Sequence, residues 1–138
     1  MLSVTAVLIT TGLAILVFAA VIHVFIFYLE SVAWSRPATW KRFGLSSQSD
    51  ANVVRPMAFN QGFYNLFLAI GVVAGVVIAL VGNRDAGIGI AVFAALSMLA
   101  AAVVLILSSP SLARAAIVQG AAPLVGSVLV IVGVALAD

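Results

Sequence analysis

One histidine and one glutamate in the first apolar stretch are the residues best suited to chemistry. His23 and Glu30 are seven residues apart, so on a helix they share a face, and His23 is the only histidine in the chain. Such a pair could relay a proton, hold a cofactor or hydrogen-bond to a polar headgroup. Alternatively, an acid at a membrane boundary could be solvated or paired with Arg36 or Arg55.

Two later apolar runs also carry polar amide side chains, at Asn60, Gln61 and Asn65 in one run and at Gln119 in the other. A polar side chain in hydrocarbon is costly unless it faces other helices or water. We therefore predict that three helices bring polar groups to one depth, where they line a small pocket with two aromatic walls, Trp34 and Tyr64. The predicted ligand-binding residues are His23, Glu30, Trp34, Asn60, Gln61, Tyr64, Asn65 and Gln119. Interhelical hydrogen bonding is the alternative use for the amides.

Several other chemistries lack the residues they need. The chain has no cysteine, so thiolate chemistry and disulfides are excluded. A transition-metal site takes three or four His, Cys or carboxylate ligands, and only His23 and Glu30 are at hand, so we predict no metal and no cofactor. We find no phosphate-binding glycine loop and no Ser-His-Asp set, so no catalytic residue is assigned and an enzyme has the least support.

Composition indicates that lipid surrounds most of the chain. Hydrophobic residues make up 65% and charged residues 7%, against about 45–50% and about 25% in soluble domains. Six basic and four acidic residues are too few for a nucleic-acid footprint. A helix that spans a membrane needs roughly 20 apolar residues. The sequence therefore predicts one all-α domain over residues 1–138, with transmembrane helices at about 4–29, 57–82, 86–108 and 112–137.

The long polar stretch between the first two helices, residues 30–56, is predicted to be an interfacial loop. The other connections are short, which favours an up-down-up-down four-helix bundle. Pro56 suits a first helical turn, or it kinks a helix that begins near Asp50.

The distribution of basic residues predicts the orientation. Cytoplasmic loops carry an excess of Lys and Arg. Loops 1–2 and 3–4 are therefore expected in the cytoplasm, with both termini outside, because the opposite side has only Arg84. The basic residues of those two loops are Arg36, Lys41, Arg42, Arg55 and Arg114.

Two glycines in the second run form a small-xxx-small pair, Gly71 and Gly75, extended by Ala79. Such pairs let helix backbones approach closely in membranes. They could pack inside the bundle, or between two protomers of a homodimer.

A set of motif residues runs along the chain: His23, Tyr28-Leu29-Glu30, Trp34, Phe43-Gly44, Asn60-Gln61-Gly62, Tyr64-Asn65, Phe67-Leu68-Ala69, and Gln119-Gly120 with Pro123. In this order and spacing they resemble a known family, the domain of unknown function 1304 family of small bacterial membrane proteins. The resemblance runs from the first helix to the last. It implies four spans of the bacterial inner membrane, and no activity is assigned to the family.

Three classes of function remain open at this point. The leading interpretation is a membrane protein that binds a small polar or amphipathic ligand, such as a lipid or quinone headgroup, in the predicted pocket. The second is a small-solute or proton transporter that acts as a dimer, with His23 and Glu30 as a relay. The third is a structural subunit of a larger membrane complex.

Overall fold

Four long helices make up most of the computed structural model, which describes residues 3–137. Helix α1 continues into a π-helical turn at its C-terminal end, and a short helix and two 3-10 turns occupy the connections. The elements are α1 (Val4–Phe27), the π-turn (Tyr28–Val32), α2 (Pro37–Trp40), a 3-10 turn (Lys41–Phe43), α3 (Gln48–Val81), α4 (Arg84–Ser108), a second 3-10 turn (Pro110–Leu112) and α5 (Ala113–Ala135).

The four long helices form a ring in which sequence neighbours pack side by side. Helix α1 packs against α3 and α5, and α4 packs against the same two helices. The predicted all-α, four-helix bundle is confirmed. Each helix is long and apolar enough to cross a membrane, as expected of a multi-pass membrane protein. The candidate spans are Val4–Val32, Gln48–Val81, Arg84–Ser108 and Pro110–Ala135.

Helix α3 begins at Gln48 rather than near residue 57, so much of the predicted loop 30–56 is helical. Ser47 sets this start, because its hydroxyl accepts a hydrogen bond from the Asp50 N–H at 3.0 Å. Pro56 lies within the helix. With 34 residues, α3 is about 51 Å long. Its first turns therefore extend beyond a hydrocarbon layer of about 30 Å.

The rest of the α1–α3 connection folds onto these first turns. Trp34 donates a hydrogen bond from its indole Nε1 to the Ala51 carbonyl at 2.9 Å. Trp34 and Trp40 pack with Ala51 and Ala58 in a small apolar cluster. We call this end of the bundle, formed by residues 28–47 and 109–112 with the starts of α3 and α5, the basic end.

Glycines allow close backbone contact between α3 and α4. A β-carbon on Gly75 would lie 2.5 Å from the Ala91 nitrogen and 2.7 Å from the Gly87 carbonyl oxygen. Gly71 also faces this helix, with Ala94 as its nearest neighbour. The Gly71–Gly75 face is thus occupied inside the bundle. Of the two uses predicted for this pair, this contact is the one inside the bundle, and a homodimer through the same face stays a prediction.

Candidate functional site

A buried hydrogen bond joins two of the predicted site residues on neighbouring helices. The Asn65 amide Nδ2 donates to Glu30 Oε2 at 2.9 Å, and also to the Gln61 carbonyl at 3.2 Å. Glu30 is 7% exposed and Asn65 is 8% exposed. A buried polar group that loses its partner carries a desolvation cost. This bond therefore fixes α1 against α3 as well as bringing two polar groups together.

The π-turn of α1 docks on a glycine of α3 beside this bond. A β-carbon on Gly62 would collide with the Ser31 hydroxyl, and would lie 3.1 Å from Glu30 Cβ and 3.2 Å from the Phe27 carbonyl oxygen. The Ser31 hydroxyl donates to the Phe59 carbonyl at 2.9 Å. Two hydrogen bonds thus flank one close helix contact, which we call the Gly62 contact.

Neither Ser31 nor the π-turn was predicted from the sequence. The π-turn is closed by a 2.8 Å hydrogen bond from the Ala33 N–H to the Tyr28 carbonyl. The one available signal for the contact was Gly62 itself, between the amide residues of the motif. An aromatic cluster borders the contact, with the Phe27 and Phe63 rings 5.1 Å apart and edge to face.

His23 is buried in the core of the bundle, at 2% exposed. Its Nδ1 lies 2.9 Å from the Ala19 carbonyl of the same helix. Because a carbonyl only accepts, Nδ1 carries the donated proton, and in the neutral ring Nε2 is then an acceptor. His23 and Glu30 therefore hydrogen-bond to different partners rather than to each other.

Gln119 lies level with His23 on the neighbouring helix α5. Gly12 packs against Val130, and Ile9 packs against Gly133, so residue numbers fall along α5 as they rise along α1. Extending this register along the two helices places Gln119 at the height of His23. The Gln119 side chain is half-buried. Pro123 lacks an N–H, so the Gln119 carbonyl lacks its usual helical partner.

Three predicted residues lie on the outside of the bundle instead. Asn60 and Gln61 are exposed, and Tyr64 is 56% exposed. None of these three side chains hydrogen-bonds to another residue within 3–137; Gln61 uses only its backbone carbonyl, toward Asn65. We call Asn60, Gln61 and Tyr64 the α3 polar strip. Trp34, the predicted second aromatic wall, is buried in the cluster at the basic end and does not reach this strip.

Two grooves in the described part of the molecule lie away from these residues. The larger, of about 440 Å³, is apolar and opens between Val24 of α1 and the stretch of α3 from Ala69 to Ile78. A smaller one of about 150 Å³ lies near Arg84 at the other end of the bundle. Neither is lined by any of the eight predicted site residues. Within residues 3–137, no three His, Asp or Glu side chains are placed to hold a metal ion.

A family model described as "Protein of unknown function (DUF1304)" matches residues 17–131 of the 138-residue chain. The chain belongs to the DUF1304 family. The match covers the Gly62 contact, His23, the α3 polar strip and Gln119. Searches of curated proteins and of solved structures each gave no significant match. For this DUF1304 protein, the resemblance predicted from the motif residues is thus confirmed, and function must be argued from the geometry.

Geometry divides seven of the eight predicted site residues of this DUF1304 protein into two groups, while the eighth, Trp34, lies apart in the apolar cluster at the basic end. Glu30 and Asn65 meet at the Gly62 contact, and His23 lies deeper in the core with Gln119 at its level. The α3 polar strip faces outward. In the first group the Glu30–Asn65 bond joins two helices and His23 bonds within its own helix, whereas the side chains of the α3 polar strip have no hydrogen-bond partner within residues 3–137.

Proposed function

We propose that this protein is a membrane binding protein for an amphipathic ligand, such as a lipid or a quinone, whose polar head meets the α3 polar strip. The observation that carries the proposal is the exposure of Asn60, Gln61 and Tyr64 without protein partners. Their exposed neighbours include Met57 and Phe67, both apolar. Polar side chains that face an apolar surrounding are costly unless something satisfies them.

An apolar path for the ligand tail continues from the strip along α3. Asn60, Phe67 and Ala74 are spaced by seven residues, which places them on nearly the same face of the helix. Ile70 and Ala74 line the larger groove. At 1.5 Å per residue, Ile70 is about 15 Å from Asn60 along the axis. That distance equals one leaflet of a hydrocarbon core about 30 Å thick, so a chain anchored at the strip would reach the groove.

We further propose the bacterial inner membrane as its location, with the basic end in the cytoplasm. The support is the charge asymmetry, since five basic residues lie at the basic end and Arg84 lies at the other.

The alternatives have weaker support from the geometry. A His23–Glu30 proton relay would need the two side chains in one hydrogen-bonded chain, but each bonds to a separate partner. A homodimeric transporter would need a face other than Gly71–Gly75, which packs on α4. A structural subunit would use the exposed strip as a contact with another protein. That role would be favoured if a partner protein co-purified with wild type but not with a variant in which the strip side chains are removed.

Ligand titration followed by native mass spectrometry tests the proposal. The probes are phosphatidylethanolamine and a short-chain quinone, added to the delipidated protein. Combining Asn60→Ala, Gln61→Ala and Tyr64→Phe should weaken binding of at least one probe by about tenfold or more, because each lost hydrogen bond contributes about 0.5–1.5 kcal/mol. Thermal unfolding should change little, since these side chains are exposed.

Thr11→Ala serves as the matched control for this titration. Thr11 is also an exposed polar residue, but it lies in the first half of α1, far from the strip. The control should bind both probes as wild type does. Equal binding of both probes by wild type and the strip variant would refute the proposal.

A further inference from the structure

We propose that the basic end carries a second binding site, for the phosphate groups of anionic phospholipids, formed by Lys41, Arg42 and Arg114. The site shares no residue with the α3 polar strip and does not rest on the proposed function. All three basic side chains are exposed. They belong to two connections that are far apart in the sequence.

A contact between these connections brings the three residues to one edge of the bundle. Gly44 adopts a left-handed conformation with φ +80°, which ends the 3-10 turn Lys41–Phe43. A β-carbon on Gly44 would lie 3.7 Å from Leu112 Cδ2, in the turn that precedes α5. The turn that carries Lys41 and Arg42 therefore lies beside the first turn of α5, which carries Arg114.

The first connection is folded, so the backbone that carries Lys41 and Arg42 is held in place. The Trp40 indole Nε1 donates to Gln48 Oε1 at 3.3 Å, and the ring packs against the start of α3. The Lys41 ammonium lies 5.7 Å from the centre of the Trp40 ring. Indole rings beside basic side chains are typical of the headgroup level of a membrane.

Few acids compete for these charges. Asp50 is the exposed acid at this end, and it accepts a 2.6 Å hydrogen bond from the Ser47 hydroxyl within the cap of α3. Glu30 is buried and bonded to Asn65. At the opposite end, by contrast, Arg84 is followed directly by Asp85. The electrostatic potential at the basic end thus favours the binding of anions. The site also differs from a general excess of positive charge on one side of a membrane protein, because such an excess does not require two loops to converge.

Tryptophan fluorescence offers a local readout, because both tryptophans of the chain, Trp34 and Trp40, lie at the basic end. The protein is reconstituted in vesicles that contain brominated phosphatidylglycerol or brominated phosphatidylcholine, and quenching gives the relative affinity for the two lipids. Wild type should prefer the anionic lipid by at least about fivefold, the factor contributed by one basic side chain at an anionic surface. Combining Lys41→Gln, Arg42→Gln and Arg114→Gln should abolish the preference.

Two control variants separate charge from folding. Combining Lys41→Arg, Arg42→Lys and Arg114→Lys keeps the charges and should keep the preference, as should Arg84→Gln at the other end.

Equal quenching by both lipids in wild type, or an unchanged preference in the glutamine variant, would overturn the proposal. Displacement of the anionic lipid by an excess of inorganic phosphate would also overturn it, since the site would then bind free phosphate. The glutamine variant should still bind the probes of the α3 polar strip, so failure of one proposal is distinguishable from failure of the other.

Discussion

Gly62→Ala is expected to lower the free energy of unfolding by about 2–3 kcal/mol, in the upper range for overpacking a tight contact. The added methyl would meet the Glu30 β-carbon at 3.1 Å and the Phe27 carbonyl oxygen at 3.2 Å, and neither can move without moving α1. The Ser31 hydroxyl could rotate away, but it would then lose its hydrogen bond to the Phe59 carbonyl. Unfolding in mixed detergent micelles, followed by circular dichroism, measures the change.

Gly89→Ala is the matched control for the Gly62 contact. Gly89 is also a helical glycine, but a β-carbon there would meet nothing within 4 Å. Because alanine favours helix more than glycine does, Gly89→Ala should leave stability unchanged or raise it by up to about 1 kcal/mol. A loss of similar size in both variants would mean that α1 and α3 are not in close contact at Gly62.

Gly75→Ala is expected to have a larger effect than Gly62→Ala, a loss of about 3 kcal/mol or more in the free energy of unfolding, because its nearest neighbours are backbone atoms. The methyl would lie 2.5 Å from the Ala91 nitrogen and 2.9 Å from its Cα. Helices α3 and α4 would have to separate, and the contact around Gly87 would be lost. The same unfolding measurement applies, together with the oligomeric state by size-exclusion chromatography with light scattering.

Gly71→Ala is the control on the same face. Its β-carbon would have one near neighbour, Ala94 Cβ at 3.2 Å, which a small shift can relieve. We expect the free energy of unfolding to fall by less than about 1 kcal/mol, close to the effect of a substitution on the surface. If Gly75→Ala instead changed the oligomeric state with no loss of stability, the glycine would lie between protomers, and its placement against α4 would be contradicted.

The fold was largely predictable from the sequence because hydrophobic length dominates in membranes. The four apolar runs correspond to the four long helices, and Asn83, between the second and third predicted helices, caps α4 by accepting a 3.0 Å hydrogen bond from the Ala86 N–H. The start of α3 was not predictable from hydropathy. Its first turns are polar in composition, yet Ala51 and Ala58 pack on the tryptophans. Only tertiary contact shows that this stretch has a buried face.

From the sequence, the polar residues could be assigned to one end of the bundle, but neither a common depth nor the direction of each side chain could be read from it. Each helical residue turns by about 100°, so Asn60 and Asn65 point about 140° apart and cannot both face the core. Which one is buried depends on where α1 packs, and Gly62 sets that position. The π-turn at Tyr28–Val32 also shifts Glu30 relative to its position in a regular helix. No residue pattern in the sequence predicts this π-turn. These two features split the predicted cluster into a buried and an exposed group.

Cysteine labelling tests this division of the motif most directly, since the chain has no cysteine of its own. Single variants Asn60→Cys, Gln61→Cys and Tyr64→Cys are compared with Asn65→Cys and His23→Cys, each folded in nanodiscs and treated with a small maleimide. We expect the three strip positions to react at least about tenfold faster than the two buried positions. Equal reactivity at positions 60 and 65 would contradict the account, because the α3 polar strip would then not be a separate exposed surface.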